Sequence, residues 1–294
     1  MPVDSVIRGQ VTAAYGKRYQ VEIERAPEHR LIDCVTRGKK NDVACGDYVE
    51  LKLTGKSQGV IETILPRSSL LYRSNAFRSK LLAANVTQVV IVLATIPSFY
   101  EELLNRCLIA AEAADIQPLI LLNKCDAGDS TSALQRLQLY ASLGYSIQPL
   151  SAKQDVTPLR PRLSGHTSIL VGQSGMGKST IVNALRPESG VRTQEVSQVL
   201  DSGKHTTTAT HLYHLDQDSH LIDSPGLQEF GLHHLSIEAL EQAFIEFRPF
   251  LGRCRFANCR HMKEPGCAVI GAVESQAISE RRLTCYQGLV NELN

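Results

Sequence analysis

The sequence predicts an α/β core built on a parallel sheet, preceded by a small all-β barrel and followed by a metal-clipped helical segment. Three observations carry that expectation. Continuous apolar runs such as Val89-Val90-Ile91-Val92-Leu93 alternate with helical spacing mid-chain, the mark of strands buried on both faces. Short runs of period-two alternation fill residues 1–68. Three cysteines and a histidine crowd into the fourteen residues from Cys254 to Cys267.

In the leading segment, alternating runs begin at Arg8, Tyr19, Arg30, Tyr48 and Gly59, and Gly-rich breaks separate them. They read as about five antiparallel strands, enough for a closed barrel of the oligonucleotide-binding (OB) type. The turn Gly16-Lys17-Arg18-Tyr19 and the loop Arg37-Gly38-Lys39-Lys40-Asn41 would set positive charge and one aromatic near a binding face. A barrel with an ordinary solvated surface accounts for the same residues equally well. Cys34 and Cys45 lack metal-ligand spacing and read as packed thiols. Residues 66–80 are basic and aperiodic, a linker that is either solvated or in contact with RNA.

Composition bounds the rest. A chain of 294 residues has room for two or three domains, and 43% apolar content suits a globular protein. No apolar run is long enough to span a bilayer. The net charge of +1 hides an asymmetry: residues 1–80 carry 14 Lys and Arg against 9 Asp and Glu, the remainder 17 against 21. A basic front end on a mildly acidic body is compatible with a polyanionic partner. Met1-Pro2-Val3-Asp4 lacks the charged-then-apolar pattern of a signal peptide. The expectation is a cytoplasmic protein without membrane attachment, its eight cysteines being thiols or metal ligands rather than disulfides.

In the central segment, residues 69–232, the buried run at 89–93 leads into helical spacing over 101–114. A second buried run, Pro118-Leu119-Ile120-Leu121-Leu122, passes straight into Asn123-Lys124-Cys125-Asp126. N-K-x-D at the carboxyl end of a strand matches the guanine-recognition motif of GTPases. A carboxylate at Asp126 can accept from guanine N1–H and the 2-amino group, neither of which adenine presents. Lys124 would lie along the base, and Asn123 would brace the phosphate loop. After a helix at 132–143 and a strand at 145–150 comes Ser151-Ala152-Lys153, which resembles the second base-contacting loop, where the Ala152 N–H meets guanine O6.

Next, Ser168-Ile169-Leu170-Val171 precedes Gly172-Gln173-Ser174-Gly175-Met176-Gly177-Lys178-Ser179-Thr180. Strand, GxxxxGK[ST] and helix in that order make a P-loop. Its glycines let backbone N–H groups face a phosphate, and the helix that follows presents its positive end. Lys178 would reach the β- and γ-phosphates and Ser179 would offer a hydroxyl to magnesium. Beyond an aperiodic polar stretch lies Gly203-Lys204-His205-Thr206-Thr207-Thr208, where one threonine would complete magnesium coordination in a switch I role. Thr207 is the first choice among the three. Asp223-Ser224-Pro225-Gly226 then supplies a D-x-P-G motif, Asp223 holding magnesium through water and the Gly226 N–H sensing the γ-phosphate.

The base-reading motifs precede the phosphate-reading ones, the reverse of the common order. The same sheet forms if the usual chain ends are joined and new ones opened, which is a circular permutation. Whatever follows Gly226 is then tied to the segment that responds to nucleotide. In residues 233–294 that is a helix over 236–247, the cluster Cys254, Cys259, His261 and Cys267, and a helix over 277–293. Four such ligands fit a closed structural zinc site.

The permuted order, G-K-H-T-T-T, D-S-P-G, the C-x4-C-x-H-x5-C cluster, Asn85 in Ala83-Ala84-Asn85-Val86 and the leading barrel together closely resemble the bacterial ribosome-small-subunit-dependent GTPase A (RsgA) family. The likeness spans essentially the whole chain. It implies a circularly permuted P-loop GTPase domain between an OB-type barrel and a helical zinc-binding domain. It further implies a hydrolase of GTP that acts late in small-subunit assembly, is stimulated by that subunit, and binds ribosomal RNA through its barrel and zinc domains.

One catalytic position departs from the Ras-like pattern, in which a glutamine directly after D-x-x-G orients the attacking water. Leu227 stands there and Gln228 comes one residue late. His205 is the candidate to position the water, with a purely structural loop role as the competing reading. Two other classes stay open: an RNA-binding scaffold with negligible hydrolysis, and a metal-dependent nucleic-acid-binding regulator with a vestigial nucleotide site.

Overall fold

The computed structural model describes residues 6–24, 30–37, 42–74, 79–186, 209–224 and 231–293. His205, Thr207 and Gly226, with Leu227 and Gln228, lie outside the described residues, as does most of the 37–41 loop.

Five strands form the leading barrel: β1 (Ile7–Tyr15), β2 (Arg18–Ile23), β3 (Leu31–Thr36), β4 (Tyr48–Leu53) and β5 (Gln58–Ile64). Alternate side chains point inward, so Val11, Tyr19, Val21, Ile32, Cys34, Val49, Leu51 and Ile61 build its core. Cys34 is therefore a packed thiol, as is the fully buried Cys45. The expectation of uniformly antiparallel strands is corrected at one place, because β3 pairs with β5 in parallel. Five strands cannot alternate direction around a closed ring, so one neighbouring pair has to run the same way; β1 closes the ring against β4.

The aperiodic linker is also corrected. Its chain forms an antiparallel ribbon of β6 (Leu70–Ser74) and β7 (Ser79–Ala84). Leu71 and Leu82 are buried beneath it, and the basic residues between them hid the alternation in the sequence. Asn85, at φ 56°, pins this connection: its Oδ1 accepts from the Ser68 N–H and its Nδ2 donates to the Gly46 carbonyl, both at 2.9 Å.

The central sheet contains β8 (Gln88–Ala94), β9 (Gln117–Asn123), β10 (Ser146–Pro149), β11 (Thr167–Val171), β12 (Thr210–His214) and β13 (His220–Asp223) in the order β10-β9-β8-β11-β13-β12. All neighbours run parallel except the β12–β13 hairpin. Every residue of β8 is buried, which is why that run reads as continuously apolar. Helices α1 (Glu101–Ala113), α2 (Ser130–Ser142), the short α3 (Arg160–Leu163) and α4 (Lys178–Leu185) connect the strands. Asp129 caps α2, its Oδ1 accepting the Ser132 N–H at 3.0 Å.

The barrel and the central sheet are continuous. β1 pairs antiparallel with β12 through Ala13–His211 and Ala14–Thr210, giving one eleven-stranded sheet. Glu22 of β2 reinforces the junction by accepting from His214 Nε2 at 2.6 Å.

The C-terminal segment packs on α1 through α5 (Ile237–Ala243) and through side chains of α7 (Glu280–Leu293), with α6 (Ala268–Glu274) packed against α7. The helix expected to reach residue 247 ends at 243, because Phe244 turns out of it to stack on Phe247 and meet Tyr286 edge-on. The final helix starts at Glu280 rather than 277, since the N–H groups of Ala277 and Ile278 both turn back to the Ala272 carbonyl. Arg282, 1% exposed, ties the segment to the core: it pairs with Glu246, donates to Asn105 Oδ1 of α1 at 2.6 Å and lies over the Phe244 ring.

Candidate functional site

In a parallel sheet, ligands bind where the carboxyl ends of strands open on a crevice. β8, β9, β10, β11 and β13 all run the same way, so their ends deliver Thr95, Asn123, Ser151, Gly172 and Asp223 to one rim. The P-loop bends sharply there: Gly172, Gly175 and Gly177 have φ of 140°, 82° and 96°. A Cβ on Gly172 would meet the Val92 carbonyl oxygen at 2.3 Å, and one on Gly177 would meet Asn123 Nδ2 at 2.4 Å. Only glycine fits either position.

Asn123, 2% exposed, joins the two halves of the site. Its Nδ2 donates to the Met176 carbonyl of the P-loop at 3.0 Å, and its Oδ1 accepts the Ala152 N–H at 3.0 Å, so the N–H expected at guanine O6 is taken up within the protein. The structure thus brings Asn123-Lys124-Cys125-Asp126, Ser151-Ala152-Lys153 and the P-loop together. Lys124 Nζ donates to the Gly175 carbonyl at 2.6 Å and to the Ile96 carbonyl at 2.9 Å, so its stem lies across the crevice beside the loop. Asp126 is exposed at the rim. Cys125 contributes through its backbone, its N–H reaching the Leu150 carbonyl at 3.1 Å while its thiol turns away to the Leu122 carbonyl.

On the phosphate side, Lys178 Nζ is held by the Gly172 and Gln173 carbonyls at 2.6 and 2.8 Å. Burial lowers its pKa, and the nearby Asp223 charge opposes that. Burial pushes the Asp223 carboxyl up to about 6, with the Lys178 charge pulling the other way. The carboxylate is thus short of positive charge, a setting that suits a cation beside it. Ser179 is exposed in the first turn of α4. The Gln173 side-chain oxygen accepts the Tyr100 N–H at 3.1 Å. Sequence reasoning did not separate this bracing residue from the phosphate-facing ones.

The second cluster lies between α5 and α7. The ligand atoms of Cys254, Cys259, His261 and Cys267 all fall within 4.8 Å of one another. His261 Nδ1 is 3.6 Å from the Cys254 and Cys259 sulfurs and 3.2 Å from that of Cys267, and the Cys254 and Cys267 sulfurs are 3.9 Å apart. Tetrahedral bonds of ~2.3 Å place ligands about 3.8 Å apart, so four donors of this kind and spacing fit a metal ion. The Ala268 and Ile270 N–H groups donate to the Cys254 and Cys267 sulfurs. His261 Nε2 faces Glu241 Oε1 at 3.6 Å, and Tyr286 donates to the same oxygen at 3.2 Å. A carboxylate behind a ligating histidine fixes the ring's orientation. Glu241 carries no sequence signal for this role, lying 20 residues upstream in an ordinary amphipathic turn.

A P-loop and two base loops joined through Asn123, set on a sheet whose base-reading strands come first in the chain, define a circularly permuted GTP-binding protein. The RsgA GTPase family model matches residues 64–233. The small ribosomal subunit biogenesis GTPase RsgA of Nitrosospira multiformis is 53% identical over 98% of this chain and 91% of its own length, and that of Nitrosomonas europaea is 52% identical over 98% and 92%. Among solved structures, YjeQ from Thermotoga maritima matches with a TM-score of 0.75 and 29% identity, covering 98% of this chain and 99% of its own. YloQ, a circularly permuted GTPase, matches with a TM-score of 0.70 and 27% identity over 98% and 95%. The chain belongs to the RsgA GTPase family and is a GTPase. Among the described residues no helix is long and apolar enough to cross a membrane.

Proposed function

We propose that this protein hydrolyses GTP during late maturation of the small ribosomal subunit, is stimulated by that subunit, and couples its nucleotide state to association and release. The observation that carries the nucleotide half is the Asn123 bridge, which locks the base loops and the P-loop into one receptor. The assembly half rests on relatives of 52–53% identity named for small-subunit biogenesis. The working division is a barrel at 1–68, the GTPase domain at 69–232 and the metal-binding segment at 233–294.

Within the receptor, Asp126 reads guanine, the loop Ser151-Ala152-Lys153 closes the O6 side of the base and Lys124 flanks it. The N–H groups of Gly172 to Thr180 and the Lys178 ammonium take the phosphates. Ser179, Asp223 and Thr207 would hold magnesium, which when bound offsets the charge on the β- and γ-phosphates. Gly226 senses the γ-phosphate, and His205 orients water toward it. Cys254, Cys259, His261 and Cys267 hold one structural zinc. Ribosomal RNA meets the barrel, where Tyr15, Arg18, Asp33, Val35, Thr54 and Gln58 line a groove of about 710 Å³, and the exposed arginines of the metal loop. The protein works as a cytoplasmic monomer.

The test is multiple-turnover phosphate release with isolated small subunits, with large subunits and with neither. Stimulation by small subunits alone supports the proposal. Negligible hydrolysis under all three conditions would leave an RNA-binding scaffold.

A further inference from the structure

Thr95 directly follows β8 next to the guanine loop yet belongs to none of the nucleotide motifs. Its Oγ1 donates to the Lys124 carbonyl at 2.6 Å. Lys124 is a non-glycine residue in the left-handed region, at φ 59°. Such a conformation persists only where the surroundings over-determine it. Here they do so from both ends of the residue. The ammonium is held by two carbonyls, and the Lys124 carbonyl takes two donors, the Thr95 hydroxyl and the Ala127 N–H at 3.0 Å. The bond to Ala127 closes a four-residue turn, Lys124-Cys125-Asp126-Ala127, with Asp126 at its tip. Gly128 follows with no room to spare: a Cβ there would meet Thr95 Oγ1 and Cβ at 2.9 Å and Ile96 Cγ1 at 2.9 Å.

We propose that Thr95 is a positioning residue for guanine specificity: its hydroxyl anchors the turn that aims both oxygens of Asp126 at the base. The inference rests on the assignment of Asp126 to guanine. Guanine offers two donors on that edge, N1–H and the 2-amino group, whereas inosine keeps N1–H and lacks the amine. A carboxylate on a loosened turn can follow one donor but not hold both in register. Losing the anchor therefore costs guanine more than hypoxanthine. A residue that merely stabilised the fold would weaken both nucleotides alike.

The full-length protein, freed of nucleotide, is titrated with guanosine diphosphate and inosine diphosphate as wild type, Thr95→Val, Thr95→Ser and Gly128→Ala. Thr95→Val should weaken the guanine nucleotide about tenfold and the inosine nucleotide much less, with KM for GTP raised and kcat unchanged. Thr95→Ser, which keeps the hydroxyl, should restore the wild-type ratio. Gly128→Ala displaces the hydroxyl without deleting it and should narrow the guanine preference in the same way, which covers the case of a Thr95→Val protein that does not fold. Equal losses for the two nucleotides, or none, would overturn the proposal. A wild type that prefers guanine while the variants keep that preference sinks Thr95 alone; a wild type without it sinks the Asp126 assignment, and Thr95 with it.

Discussion

The Asn123 carboxamide donates to the Met176 carbonyl at 3.0 Å, across 53 residues of sequence. Its oxygen takes the Ala152 N–H, so one buried side chain spans both base loops and the phosphate loop. Asn123→Ala strands a buried donor and a buried acceptor, at about 1–3 kcal/mol each. GTP and GDP affinity should fall together by on the order of 10- to 100-fold, read by titration of nucleotide-free protein. A selective loss for one nucleotide would mean that Asn123 acts on the γ-phosphate instead.

Asp126 stands exposed at the rim with two acceptor oxygens. Asp126→Asn replaces one acceptor by a donor, which opposes the 2-amino group of guanine and suits the 2-oxo group of xanthine. The variant should lose GTP by at least about 100-fold and gain xanthosine triphosphate. Hydrolysis assayed with both substrates checks the exchange.

Asp223 titrates near 6 in the folded protein against an ordinary value of 3.8. Between those values the folded state binds more protons than the unfolded one, so stability falls as pH rises through that window and stays lowered above it. Asp223→Asn removes the penalty. The nucleotide-free variant should be more stable than wild type at neutral pH by on the order of 1–3 kcal/mol, with the difference shrinking as pH falls toward 3.8. Denaturant melts across that range measure it, and magnesium-dependent nucleotide binding should be lost at the same time.

The four residues that could hold a metal ion lie in a segment whose α5 and α6 have only seven residues each. One zinc per chain is expected by elemental analysis. Chelation, or Cys254→Ser, should unfold residues 233–294 while the guanine site keeps its ligand. Proteolysis followed by mass spectrometry distinguishes this local loss from global unfolding. Glu241→Gln should weaken metal binding by about 10-fold or more, through His261 alone.

Much of the site was legible because strand, motif and chemistry coincide over short spans. Asn123-Lys124-Cys125-Asp126 and the P-loop each follow a buried run, and the loop that each strand feeds needs no distant information. The cluster from Cys254 to Cys267 was legible for the same reason. Partnership was not legible. Alternation places Val11 on the inner face, but it does not show the bulge between Val11 and Ala13 or name His211 as Ala13's neighbour, so the continuous sheet stayed hidden. The β6–β7 ribbon was masked by charge, and the close of α5 at Ala243 was decided by where Phe244 finds other rings. Thr95 and Glu241 act through residues 29 and 20 positions away, and no local pattern marks either one.

The central claim is that a rearranged nucleotide core reads guanine. Competition between GTP and ATP for nucleotide-free protein, with magnesium present, tests it most directly. GTP should win by at least about 100-fold, since adenine offers neither donor to Asp126. Comparable affinities for the two purines would contradict it.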